Sequence, residues 1–82
     1  MRTTKEDLKR WLSRGKERGA THMIVVCDTF DYEDYPVYVK PDENVHEVEA
    51  RYNLKNMQMV MEVYNLTMDF DKQLNEHRSF NR

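Results

Sequence analysis

Residues 23–27, MIVVC, are apolar without interruption, and no other feature limits the fold of this chain so strongly. A strand with one wet face alternates apolar and polar residues. An unbroken run instead needs both faces of its sheet at least partly covered. Thr21 to Phe30 therefore reads as a strand between two covering layers. Tyr35 to Val39 reads as a second strand, and Pro36 near its start suits an edge position, because proline cannot donate to the ladder. Asp31-Tyr32-Glu33-Asp34 between them is the right length for a hairpin loop around a type I turn, although it lacks glycine.

A lone hairpin is not stable in water, and two strands leave their edges open. At 82 residues the chain is one domain at most (residues 1–82), and its core is marginal. Cys27 is the only cysteine, so no internal disulfide forms, and His22, His46 and His77 lack zinc spacing. Helices over the edges, or a second copy paired with one of them, remain as ways to close the sheet. We expect a homodimer or higher oligomer. The first twelve residues carry charge throughout and have no apolar signal segment. No apolar run reaches a membrane span, and a free thiol fits a reducing compartment. These features lead us to expect a soluble cytoplasmic protein.

The flanking segments read as helices. Thr3-Thr4-Lys5-Glu6 has a capping-box pattern, with Thr3 as N-cap and Glu6 reaching back. Leu8, Trp11 and Leu12 share a stripe that Gly15 and Gly19 continue, which predicts a helix from about residue 4 to 17 that stops at Gly19. Asn44 and Glu47 repeat the cap spacing. Ala50, Leu54, Met57, Met61, Tyr64 and Met68 then recur every three or four residues, which predicts a long helix over 44–66, whole or broken near Asn53. Thr67 or Asp69 caps a short last helix in which Phe70, Leu74 and His77 share a face. The fold class expected is α+β: helix, two-stranded hairpin (which a dimer could extend), long helix, short helix.

The chemistry is concentrated in VVCDTFDYEDYPVYV, residues 25–39. Asp28, Asp31, Glu33 and Asp34 supply oxygen ligands of the type calcium prefers, but the alternating pattern and turn glycine of a calcium loop are missing. No metal site or cofactor is expected. Cys27 and Asp28 point to opposite faces of a strand, and His22 lies on the face of Asp28, so no nucleophile has a base and no enzyme is expected. Phe30, Tyr32, Tyr35 and Tyr38 among carboxylates instead suit a protein partner with a basic surface. The candidate contact residues are Asp31, Tyr32, Glu33, Asp34 and Tyr35. A plain solvated turn, with two or three of the rings in the core and the rest an ordinary surface, is the competing reading.

Charge is unevenly placed: residues 1–18 hold seven basic and three acidic side chains, and residues 19–49 hold one and eight. An alternative function follows, in which Lys9, Arg10, Arg14 or Arg51 hold the phosphates of a nucleotide signal in a pocket between subunits while a tyrosine stacks on its base. Nucleic acid itself is not expected, because no helix-turn-helix or RNA-binding signature is present.

GATHMIVVCDTFDYEDYPVYV, with EVYNL downstream, resembles small accessory proteins encoded by tailed bacteriophages and prophages, over roughly residues 3 to 80. The resemblance implies expression in an infected bacterial cytoplasm and a role in binding a host or phage protein, such as a defence factor. It implies no catalytic residue.

Overall fold

The computed structural model describes residues 3–76 and 78–82. The elements are α1 (Lys5–Glu17), β1 (His22–Asp28), β2 (Glu33–Val39), α2 (Val45–Tyr52), β3 (Gln58–Asn65) and α3 (Phe70–Leu74). The three strands form one antiparallel sheet in the order β2-β1-β3. The α+β class is as expected. The β1–β2 hairpin forms, but it is part of a three-stranded sheet and not a two-stranded one, and the long helix does not form.

The MIVVC run occupies the central strand. Met23 and Val25 pack with Leu8 and Leu12 of α1, Leu74 of α3, and Tyr64 and Leu66. Ile24 and Val26 pack on the other face with Val39, Val48 of α2, Val60 and Val63. Alternation along one strand thus feeds two cores, with α1 and α3 on one side and α2 on the other. Each fully buried Val, Leu or Ile contributes about 1.5–3 kcal/mol.

The N-cap of α1 is Thr4, not Thr3. Thr4 accepts from the Asp7 amide at 3.2 Å and Asp7 accepts from the Thr4 amide at 3.0 Å, so aspartate completes the box. Reciprocal bonding to the cap holds the Asp7 carboxyl below its usual range. Thr3 is left free to donate its hydroxyl to Asp34 at 2.8 Å. The C-terminus stops as expected: Gly19 takes φ 74°, its amide bonds Lys16 O, and the Ala20 amide reaches Gly15 O.

Gly15 serves a different purpose. A Cβ there would stand 2.7 Å from Tyr38 Cε1 and 3.0 Å from Leu66 Cδ1. The Tyr38 ring cannot easily withdraw, because its hydroxyl donates to Trp11 O at 2.8 Å and Arg18 lies 5.4 Å over its face. Gly15→Ala gains about 1 kcal/mol of helix propensity but overpacks by about 1–3 kcal/mol. We expect a net loss, read as a melting temperature lower by several degrees. A rise would mean that helix and sheet have slack at this point.

The chain between Asn53 and Asn65 overturns the long helix. Residues 44–66 break after Tyr52, and Gln58–Asn65 pairs with β1. A register shift between Val25 and Val26 leaves Met61 as the extra residue of a β-bulge. The bulge puts Val60 and Val63, three apart, in one core, and Met61 and Tyr64, also three apart, against the other. A strand whose period of two slips once reproduces helical spacing. Val60, Val63 and Tyr64 are themselves strand formers, and the pairing partner was waiting in β1.

The third strand covers one of the edges that the hairpin alone would leave open. β1 is paired on both sides, and the chain's own tail covers part of the β3 edge. Val63 N donates to Ser79 O at 2.7 Å and Asn81 N to Val63 O at 2.9 Å. β2 is an edge strand, as Pro36 requires, and the proline in its middle blunts that edge. The expected place of His77 on the face of α3 lies outside the described residues. No helix among the described residues is long and apolar enough to cross a membrane.

Candidate functional site

Two loops meet at the end of the sheet where β1 stops and β2 and β3 begin. The first is the acidic turn, and its chemistry explains how it closes without glycine. Asp28 Oδ1 accepts from the Phe30 amide at 2.8 Å and Asp31 Oδ1 from the Glu33 amide at 3.1 Å. These are aspartate-built turns, in which the side chain stands in for a backbone acceptor. Tyr32 N bonds Asp28 O at 2.7 Å, and Tyr32 takes φ 59°. Part of the acidity of this stretch is therefore turn geometry. The projecting side chains are a separate matter: Phe30 and Tyr32 are 77% and 73% exposed.

The five residues expected to touch a partner divide between the tip and the sheet. Asp31, Tyr32 and Glu33 are exposed at the tip. Asp34 and Tyr35 are half-buried on opposite faces of β2. Asp34 is paired in register with Cys27 and accepts from Thr3. Tyr35 packs against the core under α2 and accepts a hydrogen bond from Gln58 Nε2, and burial pushes its phenol up. Tyr35 therefore serves the fold. Phe30, one position before the expected set, has the exposure that Tyr35 lacks. Cys27 is buried, and burial first, then the nearby Asp34, pushes its thiol up. An uncharged thiol is a poor nucleophile.

The second loop, residues 53–57, turns α2 into β3. Its Met57 carbonyl accepts the Thr29 amide at 2.7 Å, which ties it to the acidic turn. Leu54, Asn56 and Met57 have φ of 57°, 52° and 59°. Asparagine tolerates that conformation, whereas leucine and methionine do so at about 1–2 kcal/mol each. Both Leu54 and Met57 are exposed. Sequence reasoning put them on a helical stripe, and nothing in their residue types marks them as surface. Of the other methionines on that stripe, Met61 and Met68 are half-buried.

The alternative phosphate ligands do not converge within one chain. Lys9, Arg10 and Arg14 lie on α1, whereas Arg51 lies on α2 across the sheet. Lys9 pairs with Asp71 at 3.3 Å and Arg10 with Asp7. A cleft of about 290 Å³ is lined by His46, Glu49, Asn53 and Arg82, but its guanidinium is held by both Glu49 oxygens at 2.7 Å. Among the described residues, no three His, Cys, Asp or Glu side chains are placed to share a metal ion. Comparison of the chain with family models, curated proteins and solved structures finds no match.

Proposed function

We propose that the chain is a non-enzymatic binding protein that captures a host or phage protein with a basic surface and modulates or blocks it. This is the behaviour implied by its resemblance to phage accessory proteins acting in the bacterial cytoplasm. One observation carries the reading: two aromatic rings stand free on a turn framed by four carboxylates. Tyrosine and phenylalanine offer large contact areas for few rotatable bonds. Carboxylates around them speed encounter with a cationic partner and disfavour others.

The test uses Phe30→Ser combined with Tyr32→Gly. Both side chains are exposed, and glycine suits the positive φ at position 32, so the fold should survive. Affinity capture from phage-infected bacteria, quantified by mass spectrometry, should recover a partner with the natural chain and lose it with the variant. Equal recovery by both would remove the turn from the interaction.

A further inference from the structure

We infer that the partner docks a cationic amphipathic segment onto a composite surface, in which Leu54 and Met57 stand beside Phe30 and Tyr32. The inference rests on the binding role just proposed and names the class of partner.

The two loops are neighbours through their backbones. Asp28 is opposite Glu33 on one side and Gln58 on the other, and the Thr29 amide bonds Met57 O. Four of the five exposed large hydrophobic residues among those described belong to these loops: Phe30, Tyr32, Leu54 and Met57, at 77, 73, 77 and 58% exposure. The fifth, Phe80, is flanked by Arg78 and Arg82 elsewhere. The same loops hold every described non-glycine residue with positive φ. Three of them, Tyr32, Leu54 and Met57, put a large side chain where glycine would be relaxed, and they bury little of it in return. A local rule broken without a packing gain in the same chain points to a use outside it.

Charge decides between occupants. The acidic turn and the start of β2 carry Asp28, Asp31, Glu33 and Asp34, and the second loop, residues 53–57, carries one charged residue, Lys55. Two copies meeting through this surface face to face would oppose like charges around an apolar centre. A partner bringing aliphatic side chains between lysines or arginines satisfies both parts of the surface. Neither a purely basic nor a purely apolar segment does.

The experiment titrates the full chain, labelled on methionine methyls and tyrosine rings, with three synthetic peptides. One is an amphipathic helix of leucine and lysine, one replaces lysine by glutamate, and one replaces leucine by serine. The leucine–lysine peptide should shift the Met57 methyl and the Tyr32 ring together while the buried Met23 methyl stays still. The other two should bind at least about ten-fold more weakly. Leu54→Gly with Met57→Gly should melt no lower than the natural chain, yet lose about ten-fold in affinity for that peptide. A Tyr32 shift without a Met57 shift would overturn the composite surface and leave the binding role standing. Equal binding of the glutamate peptide would overturn the cationic class, as would no shift at either residue. The binding role itself is decided separately, by the Phe30 and Tyr32 capture comparison.

Discussion

Replacing Gln73 with alanine should cost about 3 kcal/mol and lower the melting temperature by roughly 12–24 °C. The residue is fully buried and all of its polar capacity is engaged. Its Nε2 donates to Asn65 O at 2.9 Å and to Asp69 O at 3.1 Å. Its Oε1 accepts from Asn65 N at 2.8 Å and Asn81 Nδ2 at 3.2 Å. Asn65 is the last residue of β3, and Gln73 takes its amide and carbonyl as a neighbouring strand would. One side chain thus joins the end of β3, the start of α3 and the tail. Removing it leaves the part-buried amide and carbonyl of Asn65 without these partners, and a buried polar group costs about 1–3 kcal/mol when unmet. Gln73→Met fills most of the same volume without the hydrogen bonds. It should lose nearly as much, whereas a mild loss in methionine alone would mean that volume, and not bonding, is what matters.

The second large effect concerns charge at the acidic turn. Asp28→Asn, Asp31→Asn and Glu33→Gln together should leave the fold nearly untouched, because asparagine keeps the Oδ1 acceptors for the Phe30 and Glu33 amides. Association with the partner should slow by about ten- to a hundred-fold at low salt, and its dependence on ionic strength should flatten. Rate measurements against salt separate the two explanations of this stretch. If the carboxylates exist only to build the turn, the amide variant associates as fast as the natural chain.

The central strand was legible because an unbroken apolar run has one physical meaning, cover on both faces. The structure puts α1 and α3 on one side and α2 on the other. Gly19 and Pro36 were legible for the same kind of reason, each having a backbone property that few positions accept. β3 was hidden because its bulge at Met61 makes Val60 and Val63, and Met61 and Tyr64, recur like helix positions. The Thr4–Asp7 cap was missed by one residue, since Thr3 and Thr4 offer the same hydroxyl. The candidate site was half legible. Its acids and tyrosines stand together in sequence, but Tyr35 faces the core and Phe30 does not. Leu54 and Met57 come from a distant segment, and the Asp28–Gln58 pairing and the Thr29–Met57 hydrogen bond bring them to the turn. The tail that covers β3 has no strand pattern of its own.

The most direct measurement compares two faces of the molecule in one capture experiment. The natural chain, the Phe30→Ser/Tyr32→Gly variant and a Lys9→Ser/Arg14→Ser variant are each used to recover protein from phage-infected bacteria. The turn variant should lose its partner by at least about ten-fold, while the α1 variant should recover it within about two-fold of the natural chain. Loss with the α1 variant and full recovery with the turn variant would contradict the account.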